Sequence, residues 1–461
     1  APLGKGSEPM ALRYQSSLGG AEQLARLQLG RALSAGLVWR EAGLHAALLR
    51  LNSADVGWPS AAGLEVEGRI ARLALAEWQP WLDRFGKTEA RGQGAASAPG
   101  LTRLELDARE MEAHGWRLRD ARLSVLREAT SWRLALANAD MAGILRLPDG
   151  VGEWDLELER LAWPLPGMPD DTAVTGPVPP AFSRPIKARL REFRLREYPG
   201  LGPLSVDARL SPSPYGIRVD NLRLAAEAAA FEGRLDWQWR GGVSTRLRGV
   251  ATSGDVAALL KGLRYAPSLQ SRNARAEFDL SWRAAPQKLA LKALDGTLSL
   301  RVEDGRLLNV SAATTASRVF GLVDIENIRR RLKGDFSDVL MRGLTFDAVT
   351  LDGAVQSGVM PRAVFDLTGP TLTAHGEGRL DLAQQQIDQT FTVNVPVSSA
   401  VPLAAAVVAG PLVGGAVAAA EMALKKQIQK VTVMHYRISG DWDNPDIDRL
   451  AQRPRRQPAA R

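Results

Sequence analysis

The sequence predicts a mainly β protein: a long, curved, largely antiparallel and repetitive β-groove with a few short helices and a C-terminal helical segment. Three observations support this fold class. Apolar and polar residues alternate with a period of two, glycines recur inside these segments, and turn-forming residues separate them. Because successive side chains of a strand point to opposite faces, each segment has one apolar and one charged face. A sheet that is wetted on one side has this pattern.

The alternation continues along most of the chain. Trp237 lies between Asp236 and Gln238, and Leu300 lies between two polar residues in the same way. Apolar residues two positions apart share one face of a strand. The apolar face is expected to be lined by Leu235, Trp237, Trp239, Leu298, Leu300, Val302, Phe391 and Val393.

Turns and bends are indicated by glycine. Asp304 with Gly305 and Asp352 with Gly353 are Asp-Gly pairs, which suit hairpin turns that need positive φ. Glycine inside a strand often marks a bulge or a bend, so we expect the sheet to curve. Such glycines are Gly68, Gly233, Gly296 and Gly378.

Few segments have helical periodicity. Asp255 can cap a helix whose apolar residues follow at the spacing i, i+3, i+4 and i+7. These residues are Val256, Leu259, Leu260 and Leu263. Residues 77–85 and 316–333 are further predicted helices. The Gly/Ala/Ser-rich segment 86–100 and the proline-rich segment 164–185 are expected to be loops at the sheet edge.

The segment 401–424 is almost free of charge and is followed by Lys425 and Lys426. Its length is near the roughly 20 residues that span a bilayer, but its composition is Ala- and Gly-rich and prolines interrupt it. Three interpretations stay open: a cap on the β-structure, contact with a membrane interface, or a true span. The residues expected to make the cap or membrane contact are Val407, Val408, Leu412, Val413, Val417, Lys425 and Lys426.

Composition excludes several kinds of chemistry. The 461 residues include no cysteine and four scattered histidines, so thiol catalysis and a metal site are not expected. No phosphate loop or catalytic motif occurs, and we expect neither enzyme activity nor a cofactor. The net charge of +8 comes from dispersed arginines, and Trp237 and Trp239 share a face with leucines. Nucleic acid is therefore not an expected partner. The basic tail 451–461 is expected to be disordered.

From about Gly233 onward, the chain resembles the C-terminal region of YhdP-type proteins in the AsmA-like superfamily. Residues 1–232 resemble these proteins only through the same alternation of apolar and polar residues. The motifs that carry the resemblance are Leu247-Arg248-Gly249, Ser253-Gly254-Asp255, Leu294 to Leu300, Glu303 to Leu307, Arg330-Arg331-Leu332, Asp335-Phe336-Ser337-Asp338, Gly343, Phe346-Asp347, Pro396-Val397-Ser398-Ser399 and Tyr436 to Pro445.

The resemblance divides the chain into segments. Residues 1–232 are expected to be a repetitive β-groove segment, and residues 233–395 an AsmA-like β region with short helices. The apolar helical segment 396–430, a closing strand in residues 431–450 and the tail 451–461 follow. Since the chain begins at Ala1 without a signal segment, we expect it to be processed or to be part of a longer protein.

The resemblance implies phospholipid transport from the inner to the outer membrane of a Gram-negative bacterium. It implies a periplasmic groove, an N-terminal inner-membrane anchor that this chain lacks, and contact with the outer membrane at the C-terminal end. The residues agree, because a continuous apolar sheet face must be covered and acyl chains are a suitable cover. The alternative is a structural or assembly scaffold of the envelope without bound lipid, in which the apolar faces pack on each other.

Overall fold

The computed structural model describes residues 10–17, 22–41, 43–75, 77, 99–113, 116–164, 183–308, 344–396, 431–442 and 445–450. The chain forms two compact units, residues 1–226 and 227–461. In both units the described residues are mostly β-strands, which confirms the mainly β fold. The segment boundaries expected from the sequence stay predictions.

The first unit contains thirteen strands in its described part. Alternating apolar residues form these strands, and short turns connect most of them. In chain order they are β1 (Leu12–Ser16), β2 (Gln23–Leu29), β3 (Leu33–Arg40), β4 (Gly43–Leu51), β5 (Gly63–Ala74), β6 (Leu101–Ala113), β7 (Trp116–Arg127), β8 (Ser131–Ala137), β9 (Met141–Pro148), β10 (Trp154–Trp163), β11 (Ile186–Leu195), β12 (Leu204–Ser213) and β13 (Gly216–Ala225).

Each strand of this unit pairs with the next one in the chain. Three of the pairings in the described part are parallel, β4 with β5, β5 with β6 and β10 with β11, and the others are antiparallel. A parallel pair needs a connection that crosses from one end of the strands to the other. The segments 86–100 and 164–185 belong to two of these crossovers, and most of their residues lie outside the described part.

The crossover between β4 and β5 is fixed by a buried carboxylate. Glu65 is 5% exposed, and its Oε1 accepts hydrogen bonds from the Ser60 amide at 2.6 Å, the Ser60 hydroxyl at 2.7 Å and the Ala61 amide at 3.1 Å. Burial raises the pKa of Glu65, but these hydrogen bonds outweigh it and leave the pKa below its usual value. The charged carboxylate therefore holds the turn that leads into β5.

The second unit contains eleven strands and one α-helix in its described part. The helix α1 (Val256–Gly262) follows β15, and its N-cap Asp255 accepts a hydrogen bond from the Ala258 amide, which confirms that predicted helix. The strands are β14 (Ala229–Gln238), β15 (Ser244–Ser253), β16 (Leu269–Gln270), β17 (Asn273–Trp282), β18 (Asp295–Leu307), β19 (Leu344–Val355), β20 (Val359–Thr368), β21 (Thr373–Asp381), β22 (Gln386–Pro396), β23 (Val431–Asp441) and β24 (Asp446–Leu450).

All described pairings within the second unit are antiparallel. β15 pairs with β14 and β17, and from β17 onward each strand pairs with the next one. The short β16 pairs with the end of β18. Together with the first unit, this confirms that the β-structure is largely antiparallel.

The two Asp-Gly pairs do not form hairpin turns, so that prediction was wrong. Asp304 and Gly305 lie inside β18, and Asp352 and Gly353 lie inside β19. Asp304 has the positive φ of 48° that the pair suggested, but within a continuing strand. Glycine is required at Gly305 and Gly353 because a side chain of the neighbouring strand occupies the space that a Cβ atom would fill.

Glycine is also required where two strand backbones approach closely. Gly296 has a φ of 142°, and a Cβ atom there would lie 1.9 Å from the carbonyl oxygen of Asp279 on β17. Gly378 has a φ of 157°, with the oxygen of Asp388 at 2.3 Å from a Cβ. Side chains are disfavoured at both positions by conformation and by space.

Several predictions lie outside the described residues. These are the helices at 316–333 and 401–424, nearly all of the helix at 77–85, and the tail 451–461. Val407, Val408, Leu412, Val413, Val417, Lys425 and Lys426 belong to this group. Among the helices that are described, none is long and apolar enough to cross a bilayer.

Replacing Gly296 tests the close approach of β17 and β18. Gly296→Ala should lower the free energy of unfolding by about 2 kcal/mol or more, because it combines a disfavoured φ with a clash against backbone. Urea unfolding followed by tryptophan fluorescence measures this change. Gly254→Ala is the matched control, since nothing lies within 4 Å of a Cβ there. Equal stability of the two variants would contradict the assignment.

Glu65→Gln tests the buried carboxylate. The folded-state pKa of Glu65 is lowered. Its contribution to the free energy of unfolding is therefore present above the unfolded-state pKa and is lost as the pH falls through the folded-state pKa. At pH 7 the free energy of unfolding of the variant should be about 2 kcal/mol lower than that of the parent protein. On acidification, the free energy of unfolding should fall less in the variant than in the parent protein. Urea titrations at neutral and acidic pH measure both effects, with Glu22→Gln as an exposed control. A parallel loss at both pH values would refute the explanation.

Candidate functional site

The second unit has one apolar sheet face, built by register. Leu235, Leu247 and Leu280 form one row across β14, β15 and β17, because each is directly opposite the next. Phe278 and Leu298 are opposite each other on β17 and β18. Since register is kept from strand to strand, alternate residues of each strand contribute to the same face.

Part of this face is only half-buried, and we call it the half-exposed strip. Apart from Ala230, the neighbours of its residues along each strand are polar and point to the other face. The strip consists of Phe231, Leu235, Trp237, Leu247, Phe278, Leu280, Leu298 and Leu300. It therefore presents a contiguous apolar surface over four neighbouring strands, β14, β15, β17 and β18.

The predicted lining residues fall on both parts of the face. Val302 is 3% exposed and Phe391 is 5% exposed, so both belong to the buried part. Trp239 follows the end of β14, and its ring contacts that of Trp237 edge to face, with centroids 5.5 Å apart. The other predicted lining residues, Leu235, Trp237, Leu298, Leu300 and Val393, are half-buried.

The buried part of the face is closed by helix α1. Val256 and Leu260 of α1 belong to the same buried cluster as Val302 and Phe391. Phe365 completes the contact with Phe391, with ring centroids 5.7 Å apart. Here the apolar side chains pack on one another, so this region serves as a hydrophobic core. Four residues of the half-exposed strip pack against a second buried cluster that includes Trp282, Leu294 and Met360, and they stay only partly buried: Leu247, Leu280, Leu298 and Leu300.

The opposite face of the second unit is charged and internally paired. Arg246 on β15 donates two hydrogen bonds to Asp279 on β17, at 2.6 and 2.5 Å. Arg437 on β23 makes the same kind of pair with Asp388 on β22, at 2.9 and 3.0 Å. The hydrogen bond from Arg246 lowers the pKa of Asp279, and that from Arg437 lowers the pKa of Asp388. This face thus stays ionised and wet.

Sequence reasoning missed the aromatic pair at the centre of the strip. The rings of Phe231 and Phe278 stack with centroids 5.6 Å apart and planes 10° apart. They cross Gly249 on the intervening strand, where a Cβ would lie 2.6 Å from Phe231. The period-two alternation around Phe231, Leu247 and Phe278 would have sufficed to predict that all three line the apolar face.

The first unit repeats the two-faced arrangement. Leu134, Leu145 and Leu156 form a row across β8, β9 and β10 and are half-buried. A tighter cluster lies on β5, β6 and β7: Leu73, Leu106, Ala108, Met111, Leu118 and Ala121. Apolar side chains therefore form a half-exposed surface beside a packed core in this unit as well.

The polar face of the first unit contains a cavity of about 390 Å³ between β8 and β11. Charged residues such as Arg133, Glu157 and Arg189 line it, together with three alanines and with Leu136, Ile144 and Leu158. Glu157 accepts hydrogen bonds from Arg146 at 3.0 Å and from Arg189 at 2.8 Å, and the bond from Arg146 lowers its pKa. A charged lining of this kind does not suit hydrocarbon, so the apolar faces are the candidate site.

The half-exposed strip has the chemistry to contact apolar chains, and such contact involves no chemical reaction. The strip offers aliphatic and aromatic side chains, and burial of apolar surface contributes about 25 cal/mol per Å². A hydrocarbon chain that covered roughly 200 Å² would thus be stabilised by about 5 kcal/mol before ordering costs. Hydrocarbon contacts are not directional, so the same strip accepts a chain at many positions along it.

Comparison with known proteins agrees with this geometry. Over 227 residues the chain is 26% identical to the intermembrane phospholipid transporter YhdP of Escherichia coli (strain K12), a match that covers 49% of this chain and 18% of that protein. The chain thus spans about a fifth of the length of that relative. No solved structure matches the chain. The family model described as YhdP protein matches residues 1–447, which confirms the predicted resemblance. The chain belongs to the YhdP protein family.

Proposed function

We propose that this chain is part of a protein that moves phospholipid between the inner and the outer membrane, with acyl chains shielded on the apolar sheet faces. The single observation that carries the proposal is the half-exposed strip of the second unit. Soluble domains seldom leave contiguous apolar surface uncovered, because each exposed Å² costs free energy in water. An acyl chain is a cover of the right chemistry and length.

The two-faced sheet separates the lipid from water. Acyl chains lie on the strip that holds Leu298 and Leu300, while the headgroup stays in solvent beyond the strand ends. The charged face, with pairs such as Arg246 with Asp279, remains hydrated. No bond has to form or break, so the protein needs no catalytic residue and no cofactor for this task.

The surroundings of the protein follow from the same proposal. A transporter between two membranes works in the periplasm of a Gram-negative bacterium, held to the inner membrane by an N-terminal anchor and meeting the outer membrane at its C-terminal end. The relative from Escherichia coli is named as an intermembrane phospholipid transporter, which supports this assignment.

A scaffold without lipid is the second candidate. It is favoured by the buried cluster in which Val256 and Leu260 of α1 pack against Phe391 and its neighbours. If that packing extended over the entire face, no surface would be left for a ligand. The half-exposed side chains of β14, β15, β17 and β18 favour the transport proposal instead.

Photo-crosslinking tests whether lipid contacts the strip. A photoreactive amino acid at Leu300 should form adducts with co-purified phospholipid, whereas the same amino acid at Arg301 should not. The two positions are adjacent on β18 and face opposite sides of the sheet, so they form a matched pair. Mass spectrometry of the purified chain identifies the adducts. Equal labelling at both positions, or none at Leu300, would refute the proposal.

A charge on the strip separates the two candidates. Leu298→Glu places a carboxylate on the half-exposed surface, so the fold should persist while bound phospholipid falls by about tenfold, since a charge in hydrocarbon contact is costly. Phe391→Ala, in the buried cluster, should instead lower the free energy of unfolding by about 3 kcal/mol. Native mass spectrometry and urea unfolding measure the two effects. Unfolding of Leu298→Glu would favour the scaffold.

A further inference from the structure

The connection between β17 and β18 in the second unit exposes two leucines. Leu289 is 53% exposed and Leu291 is 50% exposed, although they lie only two residues apart. Single exposed leucines are common on protein surfaces, but adjacent ones on an ordered segment form a patch. The segment, residues 283–294, is therefore a candidate interaction surface.

This connection is held firmly at both ends. The Trp282 indole donates a hydrogen bond to the carbonyl oxygen of Ala285 at 3.1 Å, and the Thr245 hydroxyl donates one to that of Ala284 at 2.7 Å. At the other end Leu294 is 4% exposed, and its carbonyl oxygen accepts a hydrogen bond from the Gly358 amide at 2.8 Å. The exposure of Leu289 and Leu291 is thus built into the fold.

Two short 3-10 turns shape the part between these anchors. They comprise Pro286–Lys288 and Leu291–Ala293, so Leu289 directly follows the first turn and Leu291 begins the second. Trp282 and Leu294 at the two ends are buried, whereas Leu289 and Leu291 between them are exposed. Their outward position therefore leaves apolar surface for another body to cover.

Basic side chains flank the leucines. Arg283 and Lys292 are exposed, and Lys288 lies between them. The nearest acid in the chain, Asp295, accepts a hydrogen bond from the Ser357 amide at 2.8 Å. Leucine among basic residues is the chemistry of an interface with anionic lipid: apolar side chains enter the acyl boundary and cations meet phosphate.

The connection also lies at one end of the apolar face. Trp237, Thr245 and Trp282 form a row across β14, β15 and β17, and the segment begins directly after Trp282. Trp282 is buried and fixes the point where the segment begins, and Trp237 of the same row is half-buried. A lipid leaving a bilayer at this connection would arrive at the half-exposed strip.

We propose that residues 283–294 dock the second unit on a membrane surface that contains anionic phospholipid, with Leu289 and Leu291 inserted and Arg283 and Lys292 near the phosphates. This inference rests on the proposed function, because it names the place where lipid passes between bilayer and strip.

Vesicle co-sedimentation of the full chain tests the docking. The protein should bind vesicles of phosphatidylcholine with phosphatidylglycerol more tightly than vesicles of phosphatidylcholine alone. Leu289→Ser with Leu291→Ser should weaken binding to both by about tenfold, which corresponds to about 1.4 kcal/mol, because two exposed apolar side chains no longer enter the bilayer. Leu126→Ser with Val151→Ser, two exposed residues of the first unit, is the matched control and should bind as the parent does.

The charged residues are tested separately. Arg283→Gln with Lys292→Gln should remove most of the preference for phosphatidylglycerol and its dependence on salt, with little effect on binding to phosphatidylcholine. If either variant binds as the parent does, or if the control variant loses as much, the docking proposal is overturned. Equal thermal midpoints of all variants establish that they are folded, as expected for exposed positions.

Lipid content separates this inference from the proposed function. The leucine variant should still co-purify with phospholipid by native mass spectrometry, because the strip is unchanged. If the parent protein co-purifies with lipid but does not bind vesicles, the docking proposal is overturned and the transport proposal is unaffected. Parent protein that binds vesicles but never holds lipid would overturn transport and leave a membrane-binding surface.

Discussion

Register between neighbouring strands is the constraint on which the rest of this structure depends. A slip of one residue would send every apolar side chain of a strand to the opposite face, so the rows of the second unit exist only because pairing is kept from β14 to β24. Charged pairs such as Arg246 with Asp279 act on the other face in the same sense, because they form only in the correct register. Exposed pairs of this kind add little stability, and their value here is in specifying alignment.

The same face has two roles in different places. Where helix α1 covers it, Val302 and Phe391 form a core that holds the unit together. Elsewhere on the face, Leu298 and Leu300 pack against a second cluster and stay only partly buried. The division costs stability, since surface that could be buried is not, and a bound acyl chain would recover part of that loss. Lipid binding and folding stability are therefore expected to be linked.

Period-two alternation was enough to predict the fold class, the two-faced strands and four of the eight residues of the half-exposed strip. The capped helix at Asp255 was also predictable, because cap and apolar spacing agree. The prediction that the Asp-Gly pairs form hairpin turns was wrong, because the local signal for positive φ is the same in a hairpin and in the middle of β18. The full burial of Val302 and the partial burial of Leu300, two residues away on the same face, could not be predicted, because they depend on which elements pack against each position. Parallel pairing of β10 with β11 has no local signal either, apart from the long connection that it requires.

The three parallel pairs of the first unit have an evolutionary consequence. In a purely antiparallel meander, adding or losing a single strand reverses the direction of everything that follows, so lengths change by whole hairpins. A crossover restores direction and permits odd numbers of strands. Because each strand contacts mainly its neighbours, such a sheet can lengthen or shorten much as a solenoid gains or loses repeats. The number of strands in such a sheet can therefore change by one as well as by two.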